Sequence, residues 1–298
     1  MKRHIIVIGG PTATGKTALS VAVAKVIGGE IVSADSMQIY RRMNVGTAKV
    51  MPDEMEGITH HLIDVVEPNE PFSVAQYQQM ALCAIDDICK RGKTPIIVGG
   101  TGLYVNSILF PMQFREFDPT VRQKVQEMYA QHGAQYMYDL LLSREPHTAK
   151  RLFPNDVKRV SRALELSFEG LSHSSGDLKE EPRFDYDMYV LSGDRAGIYA
   201  RIDKRVDRMM DMGLLAEVKG LLAEGVSPTA QSFQAIAYKE MCLYLEGSLT
   251  LDETIALIKK RSRNYAKRQI TWFKQYTDAV WLDYADHDNV KRILNDER

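Results

Sequence analysis

Residues 10–17 read Gly-Pro-Thr-Ala-Thr-Gly-Lys-Thr and fit the pattern G-x-x-x-x-G-K-[ST]. The glycines let the stretch Gly10-Pro11-Thr12-Ala13-Thr14-Gly15 curl until successive backbone N–H groups point at one anion. Lys16 adds a charge, the Thr17 hydroxyl suits a Mg²⁺ ion, and a helix starting there adds the positive end of its dipole. The chemistry implied is the grip of a phosphate, but the loop does not say whose. A GTPase would carry N-K-x-D, which is absent. An aspartate ending a run of about four apolar residues would mark a nucleoside triphosphatase. Asp64, after only Leu62-Ile63, is a poor match. A diphosphate that belongs to no nucleotide therefore stays open.

Two further groups stand where such a loop would need partners. Asp35 follows the short apolar run Glu30–Ser33, and Thr101 follows Ile96-Ile97-Val98-Gly99-Gly100. In an open α/β sheet the ligand crevice lies at the carboxyl ends of the strands, beside the phosphate loop. There Asp35 can hold Mg²⁺ through water or accept a proton from an attacking nucleophile. The plain alternative is an aspartate capping a helix, and for Thr101 a turn residue bonding its own backbone. Arg201 and Arg205 lie four apart and share a helix face with Arg208. They suit either an anion or a solvated ladder with Asp203 and Asp207.

Positive charge is concentrated elsewhere. Residues 258–274 carry Lys259, Lys260, Arg261, Arg263, Lys267, Arg268 and Lys274 and no acid, with Tyr265, Trp272 and Phe273 between them. Seven like charges on one helix call for a polyanion, unless the helix is an ordinary solvated one with its aromatics in the core. Lys158, Arg159 and Arg162 form a second cluster after Pro154-Asn155-Asp156, and Arg122 is an outlier.

Hydrophobic pattern shows which strands and helices carry these groups. Ile5–Ile8 reads as a central strand buried on both faces, and residues 17–27 as a helix with Leu19, Val23 and Val26 inward. Residues 30–33, 62–66 and 96–98 read as further strands. Ser73 and Gln76 make a capping box for a helix running to Lys90. Strands alternating with helices imply a parallel sheet, an α/β fold of the phosphate-loop type. After Pro111 the pattern turns helical, opened by Asp118-Pro119, with turns at His132-Gly133 and 154–156. Residues 171–182 read as a polar loop. Residues 186–191 and 280–282 return to the sheet. The expected organisation is a core of residues 1–112 and 186–298 with C-terminal helices, interrupted by a helical insertion at 113–185.

Composition sets the frame. The chain has 298 residues, 38 Lys+Arg against 39 Asp+Glu, and only three cysteines. The neutral total says nothing against a local basic face. Three cysteines without CxxC spacing argue for a reducing compartment and against a zinc site. With no run near ~20 apolar residues and no signal-peptide core, a cytoplasmic protein with no membrane partner is expected.

Eight blocks in order carry a resemblance: GGPTATGKTALS, SADSMQIYRRMNVGTAK, HHLIDVVEPNEPFSVAQY, PIIVGGTGLYVNSIL, PNDVKRVSRALE, RIDKRVDRMMDMGLLAEV, QAIAYKEM and AKRQITWF. Over nearly the whole chain the sequence resembles the bacterial tRNA dimethylallyltransferase (tRNA isopentenyltransferase) family. The resemblance implies transfer of a dimethylallyl group from dimethylallyl diphosphate to N6 of the adenosine 3′ to the anticodon, with Mg²⁺ assisting. It implies Asp35 as the base, Thr101 in its support, and Arg201 and Arg205 with residues 10–17 on the diphosphate. It implies contacts to the anticodon stem-loop from Asp35, Ser36, Met37, Gln38, Thr101, Gln234 and Lys239. The basic candidates Arg122, Lys158, Arg159, Arg162, Arg263, Lys267 and Arg268 join them on the RNA. Met37, Phe72 and Tyr104 are candidates for a prenyl pocket. Ala237 stands where the family usually has Gly, and its methyl is expected to press on the RNA or to demand a negative φ. A monomer is expected. A small-molecule kinase of the shikimate-kinase type, which shares loop and core, is the alternative. A non-catalytic RNA binder is a third reading.

Overall fold

The structure is a computed structural model, and it describes residues 2–112, 114, 118–171 and 181–296. In chain order come β1 (His4–Gly9), α1 (Lys16–Ile27), β2 (Glu30–Ser33), α2 (Pro52–Met55), β3 (His60–His61), α3 (Val74–Lys90), β4 (Pro95–Val98) and α4 (Gly102–Leu109). Then follow α5 (Pro119–Arg144), α6 (Pro146–Ala149) and α7 (Val157–Phe168). The chain continues with β5 (Asp185–Ser192), α8 (Arg195–Asp211), α9 (Leu214–Ala223), a 3₁₀ turn (Ser232–Gln234) and α10 (Tyr238–Leu245). It ends with α11 (Leu251–Phe273), β6 (Val280–Asp283) and α12 (Asn289–Asp296).

Among the described residues the strands form one parallel sheet in the order β3-β2-β4-β1-β5-β6. β1 lies in its middle because Ile5, Ile6, Val7 and Ile8 are all without exposure. Only a strand covered on both faces can bury every side chain, and each such aliphatic contributes ~1.5–3 kcal/mol. α1 buries Leu19, Val21, Val23 and Ala24 on the sheet, whereas Val26 is 63% exposed, so the inward stripe ends a turn earlier than the spacing implies. α3 buries Tyr77, Ala81, Ile85 and Ile88, with the Ser73–Gln76 capping box in place.

One strand differs from expectation. The β3 pairing falls on His60–His61, not on 62–66. Leu62 and Asp64 sit at φ 63 and 54, left-handed values that no strand accommodates. Val66 keeps only an isolated bridge to Tyr40.

The chain divides into two compact units, one of residues 1–111 and 182–298 and one of residues 112–181. Residues 182–185 go with the first unit rather than with an insertion ending at 185, and residue 112 goes with the second; the Arg183 amide donates to Leu109 O at 2.7 Å, and Asp185 opens β5. The second unit packs α5 against α7 through Val125, Met137, Leu141, Val160, Ala163 and Leu164. Asp118 caps α5 by accepting from the Thr120 amide at 2.8 Å, and Gly133 at φ 76 interrupts the helix. Most of the polar stretch 171–182, residues 172–180, lies outside the described residues.

Candidate active site

The phosphate loop runs from β1 into α1. Gly10 has φ 127, and a Cβ there would stand 2.3 Å from Leu191 O on β5, so both its backbone and its neighbour require glycine. Ala13 and Gly15 add φ values of 66 and 90. The Thr14 hydroxyl donates to Pro11 O at 2.9 Å, and the Lys16 ammonium donates to the same carbonyl at 2.7 Å. Burial, aided by the nearby Arg205 and opposed by Asp35, lowers the Lys16 pKa to about 7.

The neighbouring strand ends are stitched to this loop. The Ala34 amide donates to Val98 O at 2.7 Å and the Thr101 amide to Ala34 O at 3.1 Å, which fixes the loops after β2 and β4 side by side. Asp35 Oδ1 accepts from the Met37 amide at 2.8 Å and the Gln38 amide at 3.3 Å, an Asx turn that orients the carboxylate. Oδ2 has no hydrogen bond among the described residues. Thr101 Oγ1 accepts from the Ser36 amide at 3.2 Å, holding the same turn from the other side.

Two cavities meet at this carboxylate. The first, about 170 Å³, is lined by Thr12, Lys16, Thr17, Asp35, Gly100, Arg205, Tyr265 and Gln269 among others. The second, about 270 Å³, is lined on its apolar side by Met37, Ile202, Val206, Met209, Ile236 and Ile258. Thr12, Asp35, Arg205 and Tyr265 line both. One cavity is thus a phosphate cradle, the other is mostly greasy, and a carboxylate stands at their junction beside a guanidinium.

The arginines of α8 are not a ladder with their own acids. Arg201 Nε donates to Ala13 O at 2.6 Å, bracing the loop from outside, and its guanidinium covers the Tyr284 ring. Arg205 donates to Thr47 O at 3.1 Å, and burial lowers its pKa. Asp203 and Asp207 instead pair with Arg263 and Lys259 on α11.

This alters the reading of the basic helix. Arg261 binds the buried Glu240 of α10, so Lys259, Arg261 and Arg263 are all compensated by acids from neighbouring helices that the sequence of α11 does not reveal. Arg263 meets both oxygens of Asp203, at 2.6 and 2.7 Å. Lys267 and Arg268 are exposed, lying over the rings of Tyr199 and Tyr265, and Arg268 also lines the second cavity. In the second unit Lys158 and Arg159 are exposed on α7, Arg159 beside Asp156 at 3.3 Å, while Arg162 is half-buried against Glu165. Arg122 is exposed on α5.

The remaining candidates divide. Ser36, Met37 and Gln234 line the second cavity, and Lys239 donates to Gln234 at 3.2 Å. Gln38 lines the first and ties itself to Ala48 O. Phe72 and Tyr104 are buried and line neither, Tyr104 being stacked on Tyr77 at 3.7 Å. Ala237 holds φ 84, ψ −48, so the methyl has not imposed a negative φ. The turn persists because the buried Glu240 accepts the Ala237 amide at 2.7 Å.

Gln269 was not singled out by its spacing, yet it joins the site together. Its Oε1 accepts from the Thr12 amide at 3.0 Å and its Nε2 donates to Gly100 O at 3.0 Å. The Tyr265 hydroxyl, whose pKa burial pushes up to about 12, interacts with Thr101 and Gln269. A polar residue amid apolar ones on the inward face of α11 was the available signal.

Comparison with known proteins fits this geometry. A sequence model of the family described as IPP transferase matches residues 38–276. The chain is 46% identical to the tRNA dimethylallyltransferase of Thermoanaerobacter sp. (strain X514), covering 99% of this chain and 97% of that one. It is 45% identical to that of Bacillus mycoides (strain KBAB4), covering 98% and 94%. Among solved structures it resembles the tRNA isopentenylpyrophosphate transferase of Bacillus halodurans with a TM-score of 0.74 and 41% identity, over 99% of this chain and 95% of that one. It also resembles a eukaryotic dimethylallyltransferase acting on tRNA, with a TM-score of 0.81 and 29% identity, over 98% and 78%.

Proposed function

Because the chain belongs to the IPP transferase family, we propose that it is a tRNA dimethylallyltransferase. It moves the dimethylallyl group of dimethylallyl diphosphate to N6 of the adenosine 3′-adjacent to the anticodon. The observation that carries this reading is the placement of Asp35 where the phosphate cradle and the apolar cavity meet.

A base stacked in an anticodon loop must turn out to reach a half-buried carboxylate between two cavities. Its N6 attacks the first carbon of the prenyl group as the bond from that carbon to the diphosphate oxygen breaks, and the electron pair leaves with the diphosphate. N6 becomes acidic as its new bond forms, and the unbonded Oδ2 of Asp35 takes the proton. The charge gathering on the leaving diphosphate is met by the loop amides, Lys16, Thr12 and Arg205, donors held in place before the reaction begins. Thr101 positions the turn that carries Asp35.

Mg²⁺ fits this cradle as a companion of the substrate. The Thr17 hydroxyl lines the phosphate cavity and would offer the ion a hard oxygen donor, while Asp35 would face it only through water. Among the described residues no group of three His, Cys, Asp or Glu side chains could hold an ion by itself. Water and diphosphate oxygens would make up the rest of its ligands, as is common for this ion. The ion supplies neutralisation of diphosphate charge.

Lys267, Arg268, Lys158, Arg122 and Arg159, the last beside Asp156, are exposed cations offered to the RNA backbone. No helix among the described residues is long and apolar enough to cross a membrane. Three unpaired cysteines support a reducing, cytoplasmic setting. The test is mass spectrometry of an anticodon stem-loop after incubation with protein, Mg²⁺ and dimethylallyl diphosphate. Gain of one dimethylallyl group on the target adenosine is expected. An unchanged RNA together with phosphate transfer from ATP to a small molecule would replace this reading by the kinase.

A further inference from the structure

Residues 44–48 supply walls to both cavities, yet they belong to no helix or strand. Gly46 and Thr47 line the apolar cavity, and Ala48 lines the phosphate cavity. Its own turns hold it in part, the Ala48 amide donating to Val45 O at 3.0 Å and the Lys49 amide to Asn44 O at 2.9 Å, and an external anchor completes the hold. The anchor is a carboxylate from the first turn of α9. Glu217 Oε2 accepts from the Asn44 amide at 2.9 Å and the Val45 amide at 2.7 Å. Its Oε1 accepts from the Gly46 amide at 3.1 Å and the Tyr238 hydroxyl at 2.6 Å. Three successive amides turned towards one point form an anion-binding nest, and here the anion is a side chain of the protein itself. The next residue carries the consequence inward: Thr47 O accepts from Arg205 at 3.1 Å, and Arg205 lines both cavities.

We infer that Glu217 is a positioning residue for anion capture: it fixes the 44–48 segment, and through the Thr47 carbonyl it aims Arg205 at the diphosphate. Glu217 itself lines neither cavity. The inference rests on the diphosphate reading of the cradle. Two independent contacts converge on Glu217, since Tyr238 comes from α10 and the amides from the loop after β2. A charge-bearing acceptor is required because hydrogen bonds to an ionised group are roughly twice as strong as neutral ones.

The experiment titrates the full-length protein with inorganic diphosphate and Mg²⁺, followed by calorimetry, in a double-mutant cycle. Glu217→Gln is expected to weaken binding about tenfold in the parent background and less than twofold in an Arg205→Met background. An equal loss in both backgrounds would show a merely structural role and overturn the inference, as would no loss in the parent. Tyr238→Phe keeps the ring and removes one donor to Oε1. It is expected to weaken binding by about threefold, so the proposal stays exposed even where Glu217→Gln does not fold. Unchanged affinity in Tyr238→Phe with a normal melting transition counts against it. Absence of diphosphate binding by the parent protein contradicts the reading of the cradle instead, and is thereby told apart.

Discussion

Replacing Gln269 should be costly for a reason that can be worked out atom by atom. Gln269 is 5% exposed, and its side-chain amide holds two backbone partners, the Thr12 amide and the Gly100 carbonyl, beside its contact with the Tyr265 hydroxyl. Gln269→Ala leaves both partners without it. A buried polar group stripped of its partner costs ~1–3 kcal/mol. The Thr12 amide borders the phosphate cavity, where water can replace the lost partner, and belongs at the low end. Gly100 lines the same cavity, but it is buried and so is its bond to Gln269, so its carbonyl belongs nearer the middle. The sum is about 3 kcal/mol. Gln269→Glu sharpens the argument. The new carboxylate still accepts from Thr12, but it faces the Gly100 carbonyl with an oxygen, so it should be no more stable than Gln269→Ala at neutral pH. Gly100→Ala attacks the same contact from the other side, since its Cβ would stand 2.0 Å from Gln269 Nε2. Urea denaturation followed by tryptophan fluorescence is the assay. Trp272 and Trp281 both lie in the first unit and report on it. A drop in midpoint at unchanged slope measures the loss. A loss below ~0.5 kcal/mol for both Gln269 variants would refute the bridge as a structural element.

Other outcomes follow from the same geometry. Lys16, with a pKa lowered to about 7 by burial, is neutral above that pH in the free protein and must regain a proton to grip an anion. Diphosphate affinity should therefore fall by up to about tenfold per pH unit above 7, and Lys16→Met should bind weakly with a flat profile. Lys267→Ala should lower the salt dependence of stem-loop binding by about one charge. Arg263→Ala should leave that slope unchanged while reducing stability, because Arg263 is committed to Asp203. Glu30 is buried, and its carboxyl is held far below the usual range, first by Arg91 and then by Lys93 and His61. Its contribution is present above the unfolded value of 4.5 and is lost as pH falls further, so Glu30→Gln should flatten the acid limb of a stability–pH curve.

The parallel core was legible because its signals are local. Ile5–Ile8, the glycine-rich turn after it and the Ser73–Gln76 box each write one element in a few adjacent residues. The position of β3 was not legible, because the left-handed backbones of Leu62 and Asp64 leave no mark in hydrophobic pattern. Asp35, Thr101 and the phosphate loop could be placed together from topology alone, since carboxyl ends of neighbouring parallel strands must converge. The partners of α11 could not. Asp203, Asp207 and Glu240 reach it from other helices, and pairing across sequence distance is invisible in a charge count along one helix. Glu217 stayed hidden for a related reason, since it acts on backbone groups of a distant loop that have no sequence signature, and for Gln269 only its polar side chain on an inward helix face could have pointed to the site.

Prenyl transfer by this geometry depends on what Asp35 does at the junction of the two cavities. The most direct measurement is the single-turnover rate of prenyl transfer to a bound stem-loop, compared between the parent and Asp35→Asn under saturating dimethylallyl diphosphate. Removal of a general base predicts a loss of ~10²–10⁴-fold in that rate, with RNA and diphosphate affinities close to those of the parent. An undiminished rate in Asp35→Asn would contradict the claim that this carboxylate takes the proton from N6.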